Sequence, residues 1–143
     1  MPSVTRSFTV HPAPAVVVDY LKDFANAEEW DPGTESCTRL GDGPVAVGAR
    51  WHNVSKIAGV TTELDYELTE LTDTRIVLVG RNDSATSTDT ITVLPSGEGS
   101  EITYQADLDM HGLANLAAPA MKLVFEKLAN DTEEQLTRVL ESR

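Results

Sequence analysis

The chain is 143 residues long and 41% hydrophobic, with 11 Lys and Arg against 23 Asp and Glu for a net charge of −12. That length predicts a single domain, residues 1–143, and the apolar content excludes a disordered chain. The acidic balance argues against nucleic acid and anionic membranes as partners, and the lone cysteine, Cys37, excludes an internal disulfide or a multi-cysteine metal site.

In chain order, residues 4–10 are rich in Thr, Val and Phe and read as a strand ending at His11-Pro12. Ala13-Pro14 then starts a helix, because proline suits a first turn where its missing N–H is no loss. Val17, Tyr20, Leu21 and Phe24 recur at helical spacing and give that helix one apolar face. A second short helix over residues 25–30 stops at Asp31-Pro32-Gly33.

From residue 35 to 110 the pattern switches to period two, the signature of strands. Val60, Thr62, Leu64, Tyr66 and Leu68 fall on one face, and Thr61, Glu63, Asp65 and Glu67 on the other. Ile102, Tyr104, Ala106, Leu108 and Met110 are sorted in the same way from Thr103, Gln105, Asp107 and Asp109. Such alternation predicts an antiparallel sheet with one dry and one wet face. Further strands are expected near 35–40, 48–56, 74–81 and 84–94, joined by hairpin-length turns such as Gly41-Asp42-Gly43-Pro44.

A long helix is expected over residues 113–141, where Leu113, Leu116, Ala120, Met121, Val124, Leu128, Leu136 and Val139 keep approximate 3/4 spacing. At ~1.5 Å per residue it spans about 40 Å, enough to cross a whole sheet. Pro119 either kinks it or marks its true first turn, and Asn130-Asp131-Thr132 is a weak spot where a helix could restart. Charge is spread evenly along the chain, and no Pro/Ser/Gly linker or internal repeat divides it. The longest apolar runs fall far below the ~20 residues of a membrane span, and no apolar stretch of signal-peptide length follows Arg6. A soluble, cytoplasmic protein is the expectation.

The order of elements resembles the START-like (SRPBCC) superfamily, specifically its small polyketide cyclase/dehydrase-like members. The resemblance covers essentially the whole chain. It rests on the Ser7-Phe8-Thr9-Val10-His11-Pro12-Ala13-Pro14 opening, on Trp30-Asp31-Pro32, on Val47-Gly48-Ala49-Arg50-Trp51, and on the closing Gly112-Leu113…Pro119…Leu140 helix. It implies an α+β helix-grip fold: a curved seven-stranded antiparallel sheet around a long C-terminal helix, two short helices after the first strand, and an internal cavity for an apolar molecule. It implies no single reaction, because the fold hosts carriers, receptors and cyclases alike.

No Gly-x-Ser-x-Gly elbow, phosphate-binding glycine loop or dinucleotide fingerprint is present, and neither cofactor nor metal is expected. His11, His52 and His111 are scattered, and each reads more plainly as a surface or capping residue than as a general base. Asp107, Asp109 and His111 share one strand face at metal-ligand spacing, as do Glu63, Asp65 and Glu67 without the histidine. Both sets oppose the apolar face, so unpaired, solvated carboxylates are expected there. Cys37, on a strand with no linked histidine motif, reads as a buried structural thiol.

The aromatic residues Trp30, Trp51, Tyr66, Tyr104 and Phe125 face inward or sit at element ends, where they either pack the core or line a pocket. Asn53 and Thr62, on the same faces as Trp51 and Leu64, are candidate polar groups of that pocket. With Leu108 from the sheet and Ala117, Met121 and Val124 from the helix, these form the expected ligand-binding set. The function expected is binding or carrying a small hydrophobic molecule, lipid or polyketide-like, under the C-terminal helix. An aromatase/cyclase-type enzyme would instead show two or more charged or imidazole groups facing inward. A toxin-like or regulatory protein-interaction module would show a solid core with an exposed apolar patch, and a vestigial cavity would hold no ligand.

Overall fold

The computed structural model describes residues 3–57, 59–111 and 118–143, with side chains from residue 122 onward in the last segment. Seven strands form one antiparallel sheet: β1 (Ser3–Val10), β2 (Thr34–Leu40), β3 (Arg50–Ile57), β4 (Val60–Leu71), β5 (Arg75–Arg81), β6 (Ala85–Ser96) and β7 (Gly99–Met110). Their order is β1-β7-β6-β5-β4-β3-β2, a meander whose last strand is closed by the first. Between β1 and β2 lie α1 (Pro14–Leu21), a 3-10 turn (Phe24–Asn26) and α2 (Ala27–Trp30); α3 (Ala118–Glu141) closes the chain. This is the helix-grip, START-like architecture.

The period-two pattern sets which face is dry. Leu68, Ile76, Leu78, Ile91, Val93 and Ile102 all point inward and are completely buried, whereas Glu63, Asp65 and Glu101 point out. Alternation on β7 is sharp through Tyr104 and then softens, with Ala106, Leu108 and Met110 only half-buried. That softening marks the place where the sheet and α3 part.

Pro14 stands at the first position of α1, and the Asp23 carboxylate caps the 3-10 turn by accepting from the Ala25 N–H at 3.1 Å. The same Oδ1 accepts from Trp51 Nε1 at 3.2 Å, so one carboxylate ties the turn to β3. Phe24 sits at the centre of an aromatic cluster, its ring 6.2 Å from Trp30, 6.3 Å from Trp51 and 4.6 Å from Tyr66. Trp30 continues the cluster to Tyr104 at 5.9 Å in an edge-to-face contact.

The helix α3 runs unbroken from Ala118 to Glu141. Asn130-Asp131-Thr132 does not interrupt it, because Asn130 and Asp131 have partners of their own and Thr132 faces inward. Asn130 accepts from Arg6 Nε at 3.0 Å, Asp131 pairs one turn back with Lys127 at 2.8 Å, and Thr132 is buried. The expected start of the helix at residue 113 lies outside the described residues. Toward its C-terminus α3 is fixed by fully buried Leu136 and Leu140, by Gln135 donating to the Glu29 carbonyl at 2.8 Å, and by Glu141 accepting from the His11 N–H at 3.0 Å.

Candidate functional site

A cavity of about 340 Å³ lies between the inner face of the sheet and α3. The helix contributes Phe125, Leu128, Ala129 and Thr132, a stripe with the i, i+3, i+4, i+7 spacing of one helical face. Opposite them stand Leu64 and Thr62 of β4, Ala106 and Leu108 of β7, Ala85 of β6 and Val4 of β1, with Ile57 and the exposed Val60 at the β3–β4 turn. Small residues leave the space open. Ala85, Ala106, Ala129 and Gly33 all border the cavity where larger side chains would fill it.

Polar groups border this mostly apolar chamber from five strands, one loop and α3, among them Ser3 of β1, Ser55 of β3 and Thr132 of α3. Ser87 and Asp89 come from β6, Tyr66 from β4, Tyr104 from β7, and Asp31 from the turn that ends α2. Tyr66 reaches across β5 because its register partner there is Gly80: a Cβ at that position would stand 2.6 Å from the Tyr66 Cζ. The phenol therefore lies over bare backbone, with its hydroxyl toward Ser87. The aromatic cluster around Phe24 and Trp30 braces both tyrosines from behind.

Asp89 is the most unusual of these groups, a carboxyl left only 5% exposed inside a mostly apolar chamber. The donor turned toward it is the Tyr104 hydroxyl, and no positive charge meets it among the described residues. Burial pushes its pKa up to about 8, assisted by the negative charges of Asp31 and Asp107 and opposed by the Tyr104 hydroxyl. Asp31 is also raised by burial, although the Gly33 N–H at 3.0 Å and the Thr34 hydroxyl at 2.9 Å both stabilise its ionised form. Tyr66 and Tyr104 are pushed well above their ordinary range, first by burial and then by the charge of Asp89, so both remain hydroxyl donors.

Of the residues singled out from the sequence, Thr62, Leu64, Tyr66, Tyr104, Leu108 and Phe125 line the cavity. Trp30 and Trp51 do not: both are completely buried in the core behind it. Asn53 is buried and fully occupied, donating to Thr34 Oγ1 at 3.1 Å and accepting from Ser55 Oγ at 2.6 Å. Val124 falls off the edge of the helical stripe that faces the cavity. Ala117 and the Met121 side chain lie outside the described residues.

The residues that sequence reasoning missed are Asp31, Ser87 and Asp89. The signal for Ser87 and Asp89 was present, since Ala85, Ser87, Asp89, Ile91 and Val93 share one parity on β6, and an aspartate in that series points inward. The outer-face carboxylates also need correction, because they are not unpaired. Register places His52 opposite Asp65, and its imidazole bonds Asp65 at 2.7 Å and Glu63 at 2.8 Å. Asp107 is half-buried at the cavity rim, where it accepts from Ser3 Oγ at 2.6 Å.

His11 pairs with Glu141 and none of the three histidines lines the cavity. Cys37 is buried, and burial pushes its thiol up to about 12, so it stays protonated and unreactive. Among the described residues no three His, Cys, Asp or Glu side chains converge closely enough to hold a metal ion. Nor, among those residues, is any helix long and apolar enough to cross a membrane.

A seven-stranded antiparallel sheet gripping a C-terminal helix defines the START-like, helix-grip fold. The chain belongs to the polyketide cyclase / dehydrase and lipid transport family, whose model matches residues 1–141. Similar solved structures include the Zhui aromatase/cyclase from Streptomyces sp. R1128, with a TM-score of 0.82 at 14% identity, covering 99% of this chain and 94% of that one. A START superfamily protein from Mycobacterium smegmatis gives a TM-score of 0.74 at 18% identity over 99% and 95% of the two chains. The di-domain aromatase/cyclase BexL from the BE-7585A biosynthetic pathway gives 0.74 at 14% identity, covering 99% of this chain and 50% of that one. At these identities the likeness speaks for the fold alone. No curated protein matches the sequence.

Proposed function

We propose that the protein binds a small, mostly apolar molecule in the cavity between its sheet and α3. The observation that carries this reading is a chamber of about 340 Å³ whose walls are mostly aliphatic and whose polar groups converge from β4, β6 and β7. Ligand sites have this composition: an apolar surface for affinity and a few placed polar groups for orientation. An interaction module with a vestigial cavity has no use for a buried carboxyl, which costs stability unless a ligand or a reaction compensates it. Native mass spectrometry of the purified protein, with displacement of an apolar fluorescent dye as a second readout, tests the reading. A bound small molecule or saturable dye uptake supports it; a protein that carries nothing and takes up no dye refutes it.

A second reading is that of an aromatase/cyclase-type enzyme, and the inward-facing Asp31 and Asp89 favour it. A carboxyl with a pKa of about 8 holds its proton at neutral pH and still exchanges it readily, the property needed of a general acid. Cyclisation or dehydration of a poly-β-ketone analogue, lost in Asp89→Asn while dye binding persists, would support this reading over simple carriage. Equal product formation in both proteins would exclude Asp89 from such chemistry.

A further inference from the structure

We propose that the cavity selects ligands carrying a protonated amine on an apolar body, with the Asp89 carboxyl supplying the opposite charge. The inference rests on the cavity being a ligand site and names the class of ligand it takes. Three aspartates border the chamber, Asp31, Asp89 and Asp107, and no Lys, Arg or His lines it among the described residues. The side chains outside the description, those of residues 1–2, 58 and 112–121, include no charged one in sequence.

Asp31 and Asp107 are each held by neighbouring donors, Asp31 by Gly33 and Thr34 and Asp107 by Ser3 and Gln105. Asp89 is different. It is only 5% exposed, faces open space, and among the described residues has the Tyr104 hydroxyl as the one donor turned toward it. A buried carboxyl without a cation is held in its neutral form by its surroundings, and an ammonium group beside it removes that constraint. On binding, the ammonium keeps its proton while Asp89 releases its own to solvent, so complex formation exchanges one hydrogen ion without bond rearrangement in the ligand. The groups facing Asp89 from the packed elements are Asp31, Asp107, Tyr66 and Tyr104, all acidic or neutral, so none competes with the incoming cation.

The aspartates do not converge tightly enough to cage a metal ion, and the surrounding walls are mostly apolar. An organic ammonium fits that combination, since its apolar body occupies the chamber while one charged end meets the carboxyls. The same electrostatics reject fatty acids, acyl phosphates and other anionic amphiphiles, which would bring a further negative charge beside two carboxyls.

The test compares n-octylamine, n-octanol and n-octanoate, three probes of one apolar body, by dye displacement and calorimetry at physiological salt. Octylamine should bind at least about tenfold tighter than octanol, octanoate should bind weakest, and octylamine alone should release protons in buffers of differing ionisation enthalpy. Asp89→Asn should remove the amine's advantage and leave octanol affinity unchanged. Glu63→Gln, an exposed outer-face change, should preserve that advantage and so separate the cavity from the chain's overall charge of −12. Octanol binding with no amine preference, octanoate equal to octylamine, or an amine preference surviving Asp89→Asn would each overturn the proposal while leaving the cavity reading standing. Failure of all three probes and of the dye would overturn the cavity reading itself.

Discussion

Replacing Asp89 by asparagine should stabilise the protein at alkaline pH and do little at acid pH. The carboxyl has a pKa of about 8 in the fold against 3.8 ordinarily. Between those values the unfolded chain has shed the proton that the folded chain still holds, so stability falls as pH rises from about 4 to about 8. At about 1.36 kcal/mol per pKa unit, a shift of this size sets a ceiling of about 5–6 kcal/mol, and water in the cavity reduces it. Asparagine has nearly the same shape and no charge to bury. The Asn-minus-Asp difference in unfolding free energy should therefore grow by about 2–5 kcal/mol between pH 4 and pH 8. Asp31, raised by its own burial, contributes a pH dependence of the same sign in both proteins, so it drops out of the difference. Urea unfolding followed by fluorescence of the buried Trp30 and Trp51, at one-unit steps from pH 4 to 8, measures the difference directly. A difference that stays constant across that range would refute the account of Asp89 as a carboxyl held neutral by burial.

Three further outcomes follow from local geometry. Ala106→Phe, directly across the β6–β7 ladder from Asp89, should fill the chamber and abolish dye uptake with little loss of stability; a cost of about 1–3 kcal/mol with dye uptake unchanged would mean that the space is not there. Gly99→Ala should cost more than about 3 kcal/mol in urea unfolding, because its Cβ would stand 2.2 Å from the Val10 carbonyl oxygen and backbone must move; a stability within about 0.5 kcal/mol of the parent would contradict this close approach. His52 should titrate above its ordinary 6.5 because Asp65 and Glu63 hold its protonated form, and Asp65→Asn should lower that value in an NMR titration. The linked stability is present at acid pH and fades as pH rises through the folded-state value, and an unshifted imidazole in both proteins would dissolve the pair.

The strands were legible because each carries its burial in alternate residues. Val60 to Leu68 sorts into faces on sight, and β4 occupies Val60–Leu71. What period two cannot show is how far a face is filled. Trp51 and Leu64 share the inward parity of the sheet, but Trp51 packs into solid core against Phe24 and Asp23 while Leu64 borders open space. Asp89 is legible in principle from the parity of β6, but by residue type alone an aspartate reads as a surface residue. The pairing of His52 with Asp65 was hidden for another reason: alternation assigns a face, and only the register between strands assigns a neighbour.

The two ends of α3 divide the labour of the fold. From Ala129 onward the helix has Thr132, Leu136 and Leu140 buried, and Gln135 and Glu141 bonded to the α2 segment and to His11. Before that point Leu123 is 76% exposed, Phe125 and Leu128 are half-buried against the cavity, and the main polar tie is Arg6 to Glu126 at 3.0 Å. Free energy that a filled core would gain from packing residues 122–128 is thus withheld, and the buried carboxyl of Asp89 adds to the same deficit. A fold can carry such a deficit only where the rest is well secured, and here the aromatic cluster and the C-terminal half of the helix do that. A ligand that fills the chamber and meets the carboxyl recovers both losses at once, so its binding should raise stability most at the pH where Asp89 is costliest to the empty protein.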